Sequence, residues 1–206
     1  VSTGRPEGSK LGYGISGGRN YIWICLPFID DTGKKIATSW WGKRPGHDPQ
    51  PTLNYIKRAV PELCRRHGGD PDRVVLAGFS RGAIACNYIG LYDDEIAKLW
   101  AVMIPYSHYD GVFERWGYPG ADRRSARIRL KRLGKRPQFV CHESHANAAM
   151  SLEATQKYLD TTRGPGRFTF QLTGFRNHND AWTLRPSAAR KALREWLHRS
   201  LKPQTD

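Results

Sequence analysis

The sequence lacks any hydrophobic run long enough to cross a membrane, and it is poor in cysteine. A membrane-spanning helix needs about 20 consecutive apolar residues, so we do not expect an integral membrane protein. Each of the four cysteines falls inside a predicted strand or helix rather than in a loop. That placement favours buried free thiols over a disulfide framework, and no Cys/His spacing resembles a zinc site. The four are Cys25, Cys64, Cys86 and Cys141.

The first residues, Val1 to Arg5, contain neither an initiator methionine nor a signal-peptide pattern. A mature secreted protein and a trimmed chain would both begin this way, so we expect a soluble protein and leave its compartment open. A length of 206 residues suits one domain with a real core. We expect residues 1–206 to form that domain, with the glycine-rich residues 1–19 irregular or folded as an edge hairpin.

Acidic residues are too few to balance the basic ones, which gives a formal net charge of +14. Such a charge favours polyanions or acidic substrates as partners. Much of the excess lies in and just beyond a predicted helix at residues 122–133, and a solvated helix face is our first interpretation of it. A polyanion-binding patch is the alternative, but no aromatic stacking platform lies among these charges, so we expect no nucleic-acid partner. The basic residues are Arg123, Arg124, Arg127, Arg129, Lys131, Arg132, Lys135 and Arg136.

Strand patterns alternate with helical patterns along most of the chain. The strongest strand pattern, residues 20–28, is continuously apolar, aromatic and β-branched, and a shorter one covers residues 35–41. This alternation predicts an α/β protein with a mostly parallel sheet flanked by helices on both faces. Right-handed crossovers then place the carboxyl ends of the strands at one edge, where an open sheet builds its site. Further strands are predicted at residues 74–77, 99–105, 137–142 and 167–172, and helices at 52–67, 81–91, 122–133, 146–161 and 186–201.

The most informative motif is Gly-Phe-Ser-Arg-Gly at residues 78–82. Apolar residues 74–77 precede it and a helical pattern follows it, which is the layout of a nucleophile elbow. We therefore predict that Ser80 is a nucleophile rather than an inert serine in a turn. Gly78 and Gly82 are expected to permit the sharp turn, because a Cβ at either position would meet neighbouring backbone. The helix that follows points main-chain N–H groups at an oxyanion.

A serine hydroxyl needs a general base within hydrogen-bond reach. His178 is our first candidate, because it lies between the last predicted strand and the last helix, at the edge where the strands end. His108, His142 and His145 also lie near predicted strand ends and are lesser alternatives. Asp180 is expected to shape the loop of His178 or to cap the next turn.

The base in turn needs an acidic group that orients it. Glu143 directly follows the predicted strand at residues 137–142 and is the first candidate. Asp110, beyond the preceding strand, is the alternative. Asp180, or no acid at all, also stays open.

An oxyanion hole needs two main-chain donors. The N–H of Arg81, next to the predicted nucleophile, is expected to be one. The second is expected from the loop after the first strong strand, at Phe28 or Ile29, because Pro27 has no N–H.

Aromatic residues concentrate in the loops between predicted elements. Beside a cleft they could stack on sugar or aryl rings, whereas plain packing within the loops is the alternative that we favour. The candidates for lining a substrate site are Trp40, Trp41, Tyr106 and Tyr109, with Phe113, Trp116 and Tyr118 in the same group.

With the elbow at residues 78–82, the loop of His178 and the order of the strands, the chain resembles the α/β-hydrolase superfamily. Within it, Asp-Pro-Asp-Arg-Val at residues 70–74, leading into residues 78–82, resembles the esterase branch of dienelactone hydrolases, polyhydroxybutyrate depolymerases and feruloyl esterases. The resemblance covers about residues 20–200 and implies a serine hydrolase that cleaves carboxylic esters through an acyl-enzyme intermediate, without a cofactor. It assigns the nucleophile, the base and one oxyanion donor to Ser80, His178 and Arg81.

The sequence departs from that family pattern in three places. The usual His-Gly oxyanion motif is replaced by Leu-Pro-Phe-Ile at residues 26–29, and His-Ala-Asn at 145–147 stands where an aspartate is usual. The amino-terminal antiparallel strands are short or missing. We expect a small or polymer-linked ester of acidic or aromatic character as the substrate. A serine peptidase or amidase on the same fold, and a non-catalytic relative that binds acidic glycans, are the alternatives.

Overall fold

A computed structural model describes residues 6–42, 46–144, 147–162 and 167–202. Two short strands, β1 (Phe28–Ile29) and β2 (Ile36–Ala37), pair antiparallel. The central sheet contains four parallel strands that pair in chain order: β3 (Val75–Phe79), β4 (Val102–Tyr106), β5 (Pro137–His142) and β6 (Arg167–Leu172). The helices are α1 (Leu11–Ser16), α2 (Gln50–His67), α3 (Arg81–Tyr88), α4 (Asp94–Ala97), α5 (Arg123–Leu130), α6 (Leu152–Asp160) and α7 (Ala188–Ser200).

The strand register brings the carboxyl ends of the four strands to one edge of the sheet. Phe79 lies opposite Tyr106, which in turn lies opposite Cys141. His142 lies opposite Leu172. The residues that follow each strand are therefore neighbours in space, although up to about 100 positions separate them along the chain.

Helices cover both faces of the sheet. Successive side chains of a strand point to opposite faces, so each face has its own apolar core. Met103 of β4 belongs to the core under α2, α3, α5 and α6. Its neighbours Val102 and Ile104 belong to a second core, which α1 and α7 cover with side chains such as Leu193 and Trp196. This arrangement confirms the predicted fold class, a mostly parallel sheet with helices on both faces, in a small form.

The prediction that residues 1–19 are irregular or an edge hairpin was wrong for Leu11–Ser16, which form helix α1. Ile15 is only 5% exposed and belongs to the second core. Glycines within the segment lower its helix propensity, so the sequence pattern does not predict the helix. Tertiary packing requires one of them, since a Cβ on Gly14 would collide with the side chain of Thr183.

The strongest predicted strand, residues 20–28, is not a strand over most of its length. Only Phe28–Ile29 pairs, and it pairs with Ile36–Ala37 rather than with the central sheet. The shorter predicted strand at 35–41 is reduced to Ile36–Ala37. Strand propensity reflects how well side chains fit a paired, half-buried surface. Residues 20–27 have no such pairing, and they line a cavity that β3 also lines.

The basic helix α5 has part of its charge compensated within the chain. Arg129 is 8% exposed and forms an ion pair with Asp110, in which Nε lies 2.8 Å from Oδ2. Arg123 lies at the start of the same helix, with Nε 3.5 Å from Oε1 of Glu114. The solvated-face interpretation therefore does not hold for Arg129, which is an interior residue.

All four cysteines are free thiols, as the sequence predicted. Cys86 and Cys141 are buried, and burial raises the pKa of each thiol above its ordinary range. Across the part of the chain that the structure describes, no helix is both long enough and apolar enough to span a membrane.

Candidate active site

The turn between β3 and α3 places Ser80 at the edge where the strands end. Ser80 has φ 57° and ψ −119°, a positive-φ conformation that is strained for a serine. Its main-chain N–H donates to the carbonyl oxygen of Tyr106 at 3.0 Å, and its own carbonyl accepts from the N–H of Ala83 at 3.0 Å. These bonds anchor the turn to β4 on one side and to α3 on the other, which holds the strained residue in place.

The two glycines of the motif differ in what they permit. A Cβ on Gly78 would overlap the main-chain carbonyl of Gly82, so the turn requires glycine at position 78. A Cβ on Gly82 would meet no atom within 4 Å among the described residues. The expectation that both positions need glycine was therefore wrong for Gly82, whose α-carbon faces open space.

The structure brings His178 to Ser80. Nε2 of His178 lies 3.0 Å from Oγ of Ser80, which is hydrogen-bond distance. The ring of Phe79 packs beside the imidazole, with the two ring centroids 4.7 Å apart. The His178 side chain is 46% exposed, so a substrate can reach this pair of residues.

Glu143 lies behind His178, away from solvent. Its Oε1 lies 2.7 Å from Nδ1 of His178, and the Glu143 side chain is only 4% exposed. The segments that carry the two residues are joined by main-chain bonds, one of them from the N–H of Ser144 to the carbonyl of Phe175 at 2.8 Å. A serine, an imidazole and a carboxylate thus form one hydrogen-bonded chain.

The carboxyl group of Glu143 is held in its ionised form. Burial alone raises its pKa, but contacts with His142 and His178 more than offset this and bring the pKa to about 2. Nδ1 of His142 lies 3.2 Å from Oε2, but the angle is not that of a hydrogen bond. We therefore regard the well-directed bond from His178 as the stronger of the two contacts.

Ser107 is a site residue that sequence reasoning missed. Its hydroxyl donates to Oε1 of Glu143 at 3.0 Å and lies 3.0 Å from Nδ1 of His178. The side chain is fully buried. No motif identifies this serine, and the only signal in the sequence was its position directly after the strand β4.

The structure does not bring Asp110, the alternative acid, to His178. Both carboxylate oxygens of Asp110 accept from Arg129, at 2.8 Å and 3.1 Å. Burial raises the pKa of Asp110 to about 6 in spite of this cation. Gly111, with φ 82°, follows directly, and Asp110 lies in the interior beside α5.

The other histidines lie near the site but not against Ser80. The ring centroid of His108 is 5.3 Å from that of His178, and burial lowers the pKa of His108 to about 4, so it is neutral at pH 7. His142 is buried behind Glu143. His145 lies outside the described residues. Asp180 precedes the short turn Ala181–Thr183, and its main-chain carbonyl accepts from the N–H of Thr183 at 3.1 Å, but its side chain makes no capping bond.

Both predicted sources of a second oxyanion donor are used in other bonds. The N–H of Ile29 donates to Oγ1 of Thr52 at 2.9 Å, so the expectation that it faces an oxyanion was wrong. Phe28 pairs with Ala37, and because the N–H of Asp30 donates to the carbonyl of Lys35, the alternation of the antiparallel ladder directs the N–H of Phe28 to Ala37. The expectation was therefore wrong for Phe28 too, although Phe28 lines the cavity that contains Ser80 and His178. Arg81 is the first residue of α3, where helical N–H groups lack partners within the helix.

A cavity of about 1710 Å³ opens from Ser80 and His178 along the free edge of β3. Phe79 and Arg81, the chain neighbours of Ser80, line this cavity together with Phe28. Its walls come from β3, the irregular residues 20–27 and the neighbouring helices. Within the described residues, no group of three His, Cys, Asp or Glu side chains is placed to hold a metal ion.

Most of the aromatic residues predicted to line the substrate site are core residues. Trp40 is 0% exposed and packs against Tyr88 with ring centroids 4.3 Å apart. Tyr106 and Tyr109 are 1% and 3% exposed, so their assignment to the substrate site was wrong. Trp41 is partly buried and lies 5.7 Å from the guanidinium carbon of Arg81. Sequence reasoning cannot distinguish an aromatic residue in a lining loop from one that folds back into the core.

No protein-family model matches the sequence, and no curated protein is similar to it in sequence. Solved structures do resemble the chain in fold, among them the following three. The SOBER1 protein of Arabidopsis thaliana is 14% identical, with a TM-score of 0.53 over 97% of this chain and 96% of that one. A thermostable esterase is 20% identical, with a TM-score of 0.50 over 79% of this chain and 41% of that one. The acylaminoacyl peptidase of Pyrococcus horikoshii is 14% identical, with a TM-score of 0.53 over 82% of this chain and 32% of that one.

The chain thus spans less than half the length of the esterase and of the peptidase. What the three structures share with it is the architecture. In this chain that architecture is a parallel sheet with helices on both faces. The chain therefore has the α/β-hydrolase fold, in a small form.

Proposed function

We propose that this protein is a serine hydrolase that cleaves carboxylic esters through an acyl-enzyme intermediate. The observation that carries the proposal is the hydrogen-bonded chain from Ser80 through His178 to Glu143, with distances of 3.0 Å and 2.7 Å. A serine hydroxyl is a poor nucleophile at neutral pH, and this arrangement is the usual means of activating it. The esterase and the peptidase of similar fold are hydrolases, which supports the proposal at the level of reaction class.

In the first half of the reaction, Ser80 Oγ attacks the acyl carbonyl while Nε2 of His178 takes its proton. Glu143 holds the imidazole in orientation and stabilises the imidazolium that forms. The N–H of Arg81 stabilises the negative oxygen of the tetrahedral intermediate. His178 then gives the proton to the departing alcohol, and the acyl group remains on Ser80.

In the second half, a water molecule enters from the cavity and His178 accepts one of its protons. The resulting hydroxide attacks the acyl carbonyl, the bond to Ser80 Oγ breaks, and the proton passes from His178 back to the serine. The products are a carboxylic acid and the free enzyme. The half-exposed imidazole permits both the alcohol and the water to reach Nε2.

An amide substrate is the second candidate, because the same chain of residues can cleave amides and one protein of similar fold is an acylaminoacyl peptidase. Matched substrates with the same acyl group, a p-nitrophenyl ester and a p-nitroanilide, separate the two. We expect turnover of the ester and none of the anilide under the same conditions. Comparable turnover of both would favour the peptidase.

The direct test of the proposal is Ser80→Ala, assayed with p-nitrophenyl esters of short acids. We expect a fall in kcat of about 10⁴-fold or more, because the residues of such a chain act as a unit. Ser125→Ala on α5 is the matched control, since Ser125 does not line the cavity. Undiminished turnover in Ser80→Ala would overturn the proposal. Failure of a fluorophosphonate to label wild-type Ser80 would favour a non-catalytic binding protein instead.

A further inference from the structure

Ser107 makes hydrogen-bond contacts with two members of the proposed catalytic chain, and the reaction as written above does not use it. Its Oγ lies 3.0 Å from Oε1 of Glu143 and 3.0 Å from Nδ1 of His178. We propose that Ser107 is a positioning residue that fixes the tautomer of His178 and the orientation of Glu143. This inference rests on the proposed hydrolase function and deepens it.

The chemistry of the three groups determines which atom carries each proton. An ionised carboxylate only accepts hydrogen bonds, so the single hydroxyl proton of Ser107 points to Glu143. Only the lone pairs of the hydroxyl oxygen, which accept hydrogen bonds, are then available to Nδ1 of His178. Nδ1 must therefore carry the proton, which it shares between Oε1 of Glu143 and Oγ of Ser107. In that tautomer Nε2 has a free lone pair directed at Ser80, as a general base requires.

The neighbouring backbone fixes the position of the hydroxyl. Ser107 is fully buried, and its N–H donates to the carbonyl of Cys141 at 2.9 Å, which ties the end of β4 to the end of β5. Its φ is +85°, a left-handed conformation in which glycine is less strained than serine. Such strain persists where the surroundings determine the conformation. A serine at this position supplies a hydroxyl that the less strained glycine would lack.

Two substitutions separate the hydroxyl from the backbone conformation. Ser107→Ala and Ser107→Gly both remove the hydroxyl, but only glycine suits the positive φ. If the hydroxyl matters, both variants lose about tenfold to hundredfold in kcat/KM on the p-nitrophenyl ester, as expected for one hydrogen bond to a charged group. Thermal unfolding of both variants is measured as well, and Ser107→Gly is expected to have a higher melting temperature than Ser107→Ala. Activity is expressed per folded molecule, using near-UV circular dichroism.

A spectroscopic measurement tests the positioning role apart from stability. The proton on Nδ1 of His178 should give a downfield NMR resonance in the wild type, and Glu143→Gln serves as the reference in which it is lost. We expect both Ser107 variants to exchange this proton faster with water, because one of its two acceptors is gone. A residue with a merely structural role would change the melting temperature and leave this resonance unaltered.

The outcomes distinguish this inference from the function on which it rests. Equal loss in the two Ser107 variants, with the altered resonance, supports it. Wild-type kcat/KM in Ser107→Gly would overturn it, whether or not the alanine variant is impaired, because the hydroxyl would then be dispensable. Wild-type turnover in Ser80→Ala would instead overturn the proposed function, and the inference with it.

Discussion

Replacing each of the two candidate acids by its amide should separate catalysis from stability. Glu143 contacts His178 at 2.7 Å, whereas both oxygens of Asp110 contact Arg129. The substitutions Glu143→Gln and Asp110→Asn keep the size of each side chain and remove its charge. The first acts on the proposed catalytic chain, and the second acts on an ion pair in the interior.

We expect Glu143→Gln to lower kcat on the order of 10³–10⁴-fold. The amide lacks the charge that stabilises the imidazolium, and its NH₂ group can donate to Nδ1 and so select the tautomer with a protonated Nε2. That tautomer cannot accept the proton of Ser80. The expected loss corresponds to about 4–5.5 kcal/mol of transition-state stabilisation.

We expect Asp110→Asn to lower the free energy of unfolding by about 3 kcal/mol, because it leaves the Arg129 guanidinium buried without its counter-ion. This is the low end of the usual range, since Arg129 keeps a hydrogen bond to the carbonyl of Gly120 at 2.6 Å. Its kcat/KM per folded molecule should stay within about threefold of wild type, because the two acids share no partner.

The two variants are compared by p-nitrophenyl ester turnover and by urea unfolding, followed through tryptophan fluorescence. The assignment of the acid would be refuted if Asp110→Asn lost turnover while folded and Glu143→Gln kept it. Loss of turnover in both folded variants would also contradict the independence of the two sites.

Two further predictions concern the elbow and the buried carboxylate. Gly78→Ala should lower the free energy of unfolding by about 3 kcal/mol, because the new Cβ would overlap the backbone of Gly82. Gly82→Ala should leave the free energy of unfolding unchanged or raise it by about 0.5–1 kcal/mol, since the new Cβ meets open space and alanine is the better helix former. Chemical unfolding of the two variants measures this, and equal destabilisation would contradict it. The pKa of Glu143 is lowered from 4.5 to about 2, so its ionised form stabilises the fold above about pH 4.5 and this stabilisation is lost as the pH falls toward 2. Between pH 6 and pH 3, the stability advantage of wild type over Glu143→Gln should shrink by about 2 kcal/mol, and a constant or growing advantage would show that the carboxyl is not held ionised.

Much of the fold could be predicted because it depends on local pattern. Alternating strands and helices, with a glycine-bounded serine after an apolar run, are short-range features of the sequence, and they predicted the parallel sheet and the position of Ser80. The position of each loop relative to the strand ends also led to His178 and Glu143. The structure places these two side chains within 2.7 Å of each other.

What the sequence could not predict depends on contacts between distant segments. Residues 20–28 read as a strand because they are apolar and β-branched, but whether they pair depends on the neighbouring strand edge. Ser107 has no motif, and only the register of β4 against β5 brings it to Glu143. The burial of Trp40 likewise depends on packing against Tyr88, 48 positions further along the chain.

The most direct test of the central claim is to trap the acyl group on the enzyme. Wild-type protein is mixed with a p-nitrophenyl ester, quenched in acid within the first turnover, digested, and analysed by mass spectrometry. We predict a burst of about one equivalent of p-nitrophenol and a single acyl adduct on the peptide that carries Ser80, with both absent in His178→Ala. Turnover without an adduct at Ser80, or an adduct that forms equally fast in His178→Ala, would contradict the account.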